Sequence, residues 1–381
     1  MSNIKELIEK FSSNFDFNKL VNIVDYIQPT KYIVSSQNYD NSYSTPVLTP
    51  GKSFILGYTN EKEGIYEANQ NNPIILFDDF TCSFHWVDFP FKIKSSASKI
   101  IIPINKNKIN FRYVYFAMKE IKINISEHKR QWIQNFSNIS IPIPPLEIQN
   151  EIVRILDKYT ELEKELEKEL ELRTRQYEYY RNKLLNNNNY DKLKLMDVSK
   201  KIFAGGTPKT NNKNYYNGNI YWLKSGEIKF NEISNTKNKI TMEGLKNSSA
   251  KLIKPYSIVI ALTGGTIARC GWTTNEISAN QSVCAIEVDE SKLHYKFLYY
   301  FLEFNYNKIK QLGKGILNSL NLKDINNLTI SLPSMNIQYL IVDVLDKFSN
   351  IIKNLENGIP KEIELRKKQY LYWRNKLLSF N

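Results

Sequence analysis

The chain has 381 residues, which exceeds the usual size of one domain and predicts two compact modules with connecting elements. Hydrophobic residues make up 42% and aromatic residues 13% of the sequence, which excludes a long disordered protein. Lys and Arg number 52 against 39 Asp and Glu, and the net charge of +13 favours a polyanionic partner, either nucleic acid or an anionic membrane surface. An AT-rich genome would also enrich Lys, Asn, Ile and Tyr, so the charge alone does not decide for DNA.

Neither a membrane span nor a metal centre is expected. The segment from Met1 to Asn14 lacks the basic and apolar regions of a secretion signal, and apolar runs such as Ile100 to Ile104 are too short to cross a bilayer. Cys82, Cys270 and Cys284 are widely spaced and form no Cys-x-x-Cys pair, so neither a disulfide framework nor a zinc site is predicted. We therefore expect a cytoplasmic protein with reduced cysteines.

Module one, residues 1–140, alternates short apolar and polar stretches and is predicted to be mixed α and β, mostly strand and turn. It ends in an aromatic helix over Phe111 to Lys119. Residues 141–188 follow as a long helix, since prolines precede it and then Ile148, Ile152 and Ile155 recur at steps of four and three. At 1.5 Å per residue, the stretch from Leu146 to Leu185 would span roughly 60 Å.

Module two, residues 189–329, is also predicted to be mixed α and β, and it ends in an aromatic helix over Tyr295 to Phe304. Residues 330–381 then repeat the long helix. The stretch from Leu172 to Leu185 and that from Leu365 to Leu378 are identical at ten of fourteen positions, so the chain contains a duplication. Copy two carries four extra residues that include Gly358 and Pro360, and the proline predicts a kinked or broken second helix.

The chain lacks the common signatures of catalysis. It contains no Gly-x-Gly-x-x-Gly, no His-Glu-x-x-His and no Asn/Asp-Pro-Pro-aromatic tetrapeptide, and its three histidines are not clustered. We therefore predict no catalytic and no metal-binding residues.

The whole organisation resembles the specificity subunits of type I restriction and modification systems. The resemblance is carried by the duplicated helix starts, Pro144 to Ile152 and Pro333 to Ile341, and by the twin helix ends, Arg181 to Leu185 and Arg374 to Leu378. Module two looks like a target-recognition domain through Gly205-Gly206-Thr207-Pro208, Tyr221-Trp222, Ser225-Gly226-Glu227-Ile228 and Asn280-Gln281. Module one looks like another type of the same domain through Thr45-Pro46-Val47-Leu48, Phe77-Asp78-Asp79-Phe80 and Lys94-Ser95-Ser96-Ala97.

The resemblance implies an α+β protein with two target-recognition domains, whose two long helices pair as an antiparallel coiled coil with pseudo-twofold symmetry. Such a subunit is not catalytic by itself. Each domain reads one half of an asymmetric bipartite target in double-stranded DNA, and the helices set the spacer and dock two methyltransferase subunits, with two restriction subunits as possible further partners. S-adenosylmethionine, ATP and Mg²⁺ are expected in the partner subunits, in a bacterial or archaeal cytoplasm.

Candidate DNA contacts are side chains that grip phosphates or present donors and acceptors to base edges. In module one these are Lys52, Lys94, Ser95, Ser96 and Lys99, and in module two Lys224, Ser225, Lys251, Thr263, Arg269, Asn280 and Gln281. The candidate helix and partner interface is Ile148, Ile152, Ile155, Leu162, Leu166, Tyr177, Leu184, Ile337, Ile341, Val344, Leu355, Tyr370, Trp373 and Leu377.

Two other functions compete with this one. A structural or adaptor protein would use the coiled coil to bind proteins and would have no DNA affinity. The targeting part of a fused restriction enzyme would require a methyltransferase or nuclease region, for which 381 residues leave no space.

Overall fold

A computed structural model describes residues 16–51, 53–105, 108–123, 129–187, 189–315, 318–354 and 357–378. The chain divides into two compact units, the first from residues 1–165 and 363–381 and the second from residues 166–362. Unit 1 thus contains module one, the first half of the first long helix and the end of the second. Unit 2 contains module two, the rest of the first helix and the start of the second. Both mix strands with helices, which confirms the predicted α+β class.

Unit 1 is built on three small sheets. The largest is antiparallel in the order β2-β8-β5-β6, and the others are β4-β3-β7 and β1-β9. The aromatic helix α1, Phe111–Met118, begins where the Asn110 side chain accepts hydrogen bonds from the main-chain N–H groups of Arg112 and Tyr113. The strands are β1 Phe17–Lys19, β2 Val24–Ile27, β3 Thr45–Leu48, β4 Ile55–Thr59, β5 Ile74–Asp78, β6 Phe84–Val87, β7 Lys92–Ile93, β8 Ser98–Pro103 and β9 Ser140–Pro142.

Unit 2 has a five-stranded sheet in the order β11-β19-β16-β17-β13, a four-stranded sheet β14-β12-β18-β15 and the pair β10-β20. Its strands are β10 Asp191–Lys194, β11 Ser199–Ala204, β12 Tyr216–Leu223, β13 Glu232–Ile233, β14 Asn238–Ile240, β15 Leu252–Ile253, β16 Ile258–Ala261, β17 Cys270–Thr273, β18 Ile277–Ala279, β19 Val283–Val288 and β20 Thr329–Leu332. The helices, numbered after the long helix α2, are α3 Met242–Lys246, α4 Tyr295–Phe304, α5 Tyr306–Lys310 and α6 Leu322–Asn326.

The first long helix, α2, spans Leu146–Leu185, as predicted. The second is broken, as Gly358 and Pro360 predict, into α7, Met335–Lys353, and α8, Ile359–Leu378. Pro360 is the second residue of α8, where a helix does not need the missing N–H. A Cβ on Gly358 would lie 2.6 Å from the Asn354 carbonyl oxygen, so this turn has no room for a side chain.

Within each unit the long helices pair antiparallel. In unit 1 Lys367 Nζ lies 3.4 Å from Glu163 Oε1, whereas Leu377, further along α8, shares a buried cluster with Ile152, earlier in α2. In unit 2 the ring of Tyr180 lies 5.7 Å from that of Phe348, and Lys353 Nζ lies 5.4 Å from the ring of Tyr177. Increasing numbers on one helix therefore meet decreasing numbers on the other, which confirms the predicted orientation.

Candidate nucleic-acid interface

Module two gathers four loops where its strands end. The main-chain N–H of Gly206 donates to the Ala279 oxygen at 2.8 Å, that of Asn280 to the Leu223 oxygen at 2.9 Å, and that of Leu262 to the Ser282 oxygen at 2.8 Å. These bonds join the loops that follow β11, β12, β16 and β18. We call the surface formed by residues 205–208, 224–227, 262–266 and 280–282 the loop surface of module two.

All seven residues predicted in module two lie on or beside this surface. Lys224 is exposed with its Nζ 5.5 Å from the Trp222 ring centroid, and Lys251 is exposed with its Nζ 5.4 Å from that of Phe203. Ser225, Thr263 and Arg269 are partly buried, and the Arg269 main-chain oxygen accepts from Ala261 at the base of the 262–268 turn. The surface thus combines cations with neutral polar groups, the mixture that phosphates and base edges require.

The neighbouring amides Gln281 and Asn280 differ in exposure. The exposed Gln281 accepts a hydrogen bond from the Thr207 hydroxyl through Oε1, which leaves its amide nitrogen pointing away from that bond. Asn280 Oδ1 is buried and has no hydrogen-bond partner among the residues that the structure describes. Gln281 is therefore the exposed amide of this pair, whereas Asn280 is partly buried.

Module one has a comparable loop surface, formed by residues 49–51, 79–83 and 94–97. The Lys94 N–H donates to the Leu48 oxygen at 3.1 Å, the Ser83 hydroxyl to the Pro50 oxygen at 2.8 Å and the Asp79 N–H to the Ala97 oxygen at 3.0 Å. The predicted contacts Lys94, Ser95 and Ser96 are all exposed here, and Lys52 lies outside the described residues.

Lys99 is the one predicted contact that the structure places inside the protein. Its side chain is 0% exposed, with Nζ 3.6 Å from Asp79 Oδ2 and 4.5 Å from the Tyr26 ring centroid. Burial lowers the pKa of Lys99, and the opposite charge of Asp79 counteracts that shift. The prediction for Lys99 was wrong, because its partner lies twenty positions earlier in the sequence and only the pairing of β5 with β8 brings them together.

Sequence reasoning missed Arg130, whose side chain is 57% exposed with Nε 4.0 Å from Asp79 Oδ2. Asp79 also accepts the main-chain N–H of Trp132 through Oδ1 at 2.9 Å. The Asp79 carboxylate therefore holds residues 130–132 beside the loop surface of module one. Arg130 adds a positive charge there. A single arginine in a loop carries no sequence signal that would have identified it.

The junction between each module and its following helix is built from the same bonds. In unit 1 Gln149 accepts the Asn110 N–H at 2.9 Å and donates to the Pro144 oxygen at 2.8 Å. In unit 2 Gln338 accepts the His294 N–H at 2.8 Å and donates to the Pro333 oxygen at 2.9 Å. The duplication seen in the sequence is thus a duplicated junction.

An ion pair completes each junction. Arg112 contacts Asp157 at 2.7 Å and stacks over Trp86, with 4.6 Å from the guanidinium carbon to the ring centroid. Lys296 contacts Asp346 at 2.6 Å and lies 5.6 Å from the centroid of Trp272.

Only some of the residues predicted for the helix interface are buried. Ile152, Ile155, Tyr177, Ile341 and Leu377 are buried, Ile148, Leu162, Leu166, Leu184, Val344, Tyr370 and Trp373 are partly buried, and Leu355 lies outside the described residues. Ile337 is 40% exposed, whereas Val342 and Leu345, which were not predicted, are buried. Apolar residues at steps of four and three occur on two overlapping faces of α7. The face with Ile341, Val342 and Leu345 is the buried one, because α4 contacts α7.

Residues 12–172 and again residues 187–365 match the type I restriction modification DNA specificity domain. The chain belongs to this family. It is 38% identical over 397 residues to the type I restriction enzyme EcoR124I/EcoR124II specificity subunit of Escherichia coli, with 100% of this chain and 97% of the relative covered. It is also 30% identical over 353 residues to a putative type I restriction enzyme specificity subunit of Haemophilus influenzae, covering 87% and 86% of the two chains.

Solved structures agree on the fold of this specificity subunit. The S subunit of a type I restriction-modification system from M. genitalium matches with a TM-score of 0.62 at 14% identity, covering 96% of each chain. A chain from a structural study of complex assembly and conformational transition of the type I R-M system matches with a TM-score of 0.52 at 14% identity, covering 97% of this chain and 98% of that one. An adaptor role without DNA specificity is not favoured.

The specificity subunit also exposes the same apolar residues on both copies of its helix end. Leu172 and Leu365 are 54% and 42% exposed, and Tyr179 and Tyr372 are 61% and 55% exposed. Lys183 and Lys376 lie over the two tyrosine rings, with Nζ 6.0 and 5.6 Å from the centroids. We call these the twin helix patches.

The described part of the subunit contains no cluster of three or more His, Cys, Asp or Glu residues that could hold a metal ion. Burial raises the pKa of Cys82 to about 11 and that of Cys284 to about 12, so both thiols stay protonated near neutral pH. Among the residues that the structure describes, no helix is long and apolar enough to cross a membrane.

Proposed function

We propose that this specificity subunit reads an asymmetric bipartite site in double-stranded DNA, module one binding one half-site and module two the other. The observation that carries the proposal is that two differently built polar loop surfaces are each joined to a long helix by the same duplicated junction. Lys94, Ser95 and Ser96 form one, and Lys224 and Gln281 belong to the other. Because the side chains differ, the two half-sites differ in sequence.

The subunit supplies recognition, and its partners supply the chemistry. In this proposal two adenine-specific DNA methyltransferase subunits provide S-adenosylmethionine, and two restriction subunits add ATP- and Mg²⁺-dependent cleavage. The twin helix patches are the proposed docking positions, since an apolar group that is exposed in both copies fits the same partner twice. A target base must leave the stack to be methylated, and a duplex held at two half-sites favours that step.

Modified-base sequencing of the host with and without this gene tests the DNA-reading role. We expect a bipartite methyladenine motif that disappears on deletion of the gene and returns when the gene is supplied. Ser95→Ala with Ser96→Ala should relax one half of the motif, and Gln281→Ala the other half. An unchanged methylome after gene deletion would contradict the proposal.

The length of α2 is proposed to set the spacer between the half-sites. Removing Glu161 to Lys164 shortens the helix by about 6 Å, which corresponds to roughly two base-pair steps. We expect the deletion to change the spacer and to leave both half-site sequences as they were. A fixed spacer, or altered half-sites, in the methylome of the deletion strain would contradict this role.

A further inference from the structure

Most glycines of this chain have a reason within the protein itself. A glycine is required where φ is positive or where a Cβ would collide with the protein, and it is also used where a ligand approaches the backbone closely. Gly64, Gly264 and Gly315 have φ values of 64°, 72° and 77°. At eight others a Cβ would come within 2.6 Å of another atom of the protein: Gly57, Gly205, Gly206, Gly218, Gly244, Gly271, Gly313 and Gly358.

Three glycines have neither reason. Among the described residues, a Cβ on Gly226 or Gly265 would meet nothing within 4 Å, and one on Gly51 would meet only Thr49 Oγ1, at an ordinary 3.7 Å. None of the three has a positive φ. The protein itself would therefore accept a side chain at each of these positions.

All three lie on the two loop surfaces. Gly51 is in the turn between β3 and β4, its oxygen bonded to His85 Nε2 at 3.1 Å, beside the loop that carries Lys94. Gly226 follows β12, two residues after Lys224, and Gly265 follows β16, two residues after Thr263. The three glycines therefore lie on the same loop surfaces that carry the candidate DNA-binding side chains.

In module two the glycines flank the exposed amide. The segment from Asn280 to Ser282 is bonded on one side to Leu223, three residues before Gly226, and on the other to Leu262, three residues before Gly265. Gln281 thus lies between two turns that each contain one of these glycines. Phosphate oxygens accept hydrogen bonds from main-chain N–H groups, and a side chain on such a turn would hold the phosphate away.

We propose that Gly51, Gly226 and Gly265 are the points at which this chain brings its backbone against the sugar–phosphate backbone of the duplex. In module two the two turns receive the strands on either side of a groove into which Gln281 projects. The inference rests on the proposed function and refines it, because it separates residues that grip DNA of any sequence from a residue that reads bases.

Valine substitutions test the proposal on the full chain assembled with its methyltransferase partner. Affinity is measured by fluorescence anisotropy for a duplex carrying the methylated motif and for one in which the relevant half-site is scrambled. Gly51→Val, Gly226→Val and Gly265→Val should each weaken binding to both duplexes about tenfold, because phosphates are common to every sequence. Gln281→Ala should weaken binding only to the duplex with the intact half-site.

The control is Met242→Val, an exposed position in α3 next to β14 and the start of β12, at the opposite end of β12 from Gly226. It should leave both affinities unchanged, and all of the variants should melt at the temperature of the parent. Valine variants that bind both duplexes like the parent would overturn the inference, as would a lowered melting temperature in the three valine variants. A parent complex that binds neither duplex would overturn the proposed function as well.

Discussion

In both units an amide side chain at the start of a long helix joins that helix to the module before it. Gln149 is 1% and Gln338 0% exposed, and each bonds the first residue before an aromatic helix and the proline that precedes its own helix. The ion pairs differ more, since Arg112 faces Asp157 whereas Lys296 shares Asp346 with the Tyr300 hydroxyl at 2.6 Å.

The loop surfaces are held together differently. Main-chain bonds join the loops in both modules, but module one adds the carboxylate of Asp79, which is 1% exposed, whereas module two has its bonds around Asn280. The comparison indicates that buried hydrogen bonds constrain the junctions, because an unpaired buried group costs free energy. The loops carry fewer such obligations, so different modules can precede the same helix.

One pair of equivalent tyrosines at the helix ends differs in burial between the two copies, and alanine substitutions should reveal it. Tyr177 is 2% exposed, packed against Phe348, while its counterpart Tyr370 is only partly buried. We expect Tyr177→Ala to lower the free energy of unfolding by about 4 kcal/mol and Tyr370→Ala by about 2 kcal/mol. Urea unfolding measures both.

Tyr179→Ala and Tyr372→Ala are the matched controls, because these rings are 61% and 55% exposed. They should change the free energy of unfolding by no more than about 0.5 kcal/mol. Equal losses at Tyr177 and Tyr370 would mean that the copies are buried alike and that the asymmetry does not hold in solution.

Gln149→Leu and Gln338→Leu test the likeness of the junctions. Each leaves a main-chain N–H and a carbonyl without their partner, which should lower the free energy of unfolding by about 2 kcal/mol. The loss should be larger for Gln338, since its amide also donates to the Lys292 oxygen at 2.9 Å. Glu147→Leu and Asn336→Leu, exposed on the same helices, are the controls. A stable Gln149→Leu beside an unstable Gln338→Leu would show that only one junction depends on its amide.

Much of the helical frame could be predicted from the sequence because its determinants are local. The limits of α2 follow from the prolines before Leu146 and the run of strong helix formers after it, and the break before α8 follows from Gly358 and Pro360. The repeat itself needed only a comparison of the chain with itself.

The sheets and the burial of single side chains could not be predicted, because they depend on distant partners. β11 pairs with β19, so Ser199 lies opposite Val288, a separation that no local pattern encodes. Lys99 has the residue type of a DNA contact, and only its ion pair with Asp79 shows that it is internal. The exposed stripe of α7 at Ile337 likewise depends on where α4 lies.

The smallest expected effect concerns the two described histidines, one in each unit. Burial lowers the pKa of His85, although hydrogen bonds to the Gly51 and Pro50 oxygens oppose the shift. Burial also lowers the pKa of His294, where Lys296 adds to the shift and Asp346 opposes it. In the unfolded chain a histidine keeps a pKa of about 6.5. As the pH falls below that value, the unfolded chain binds protons that the folded protein does not, so stability falls.

Stability should therefore decrease as the pH falls from about 7 to about 5.5, a window above the ordinary range of Asp and Glu. Urea unfolding of the parent, of His85→Phe, of His294→Phe and of the double variant measures it. Each single variant should reduce the decrease, and the double variant should nearly abolish it. If only one single variant reduces the decrease, only that histidine has a lowered pKa in solution. A decrease that persists in the double variant would assign it to other groups.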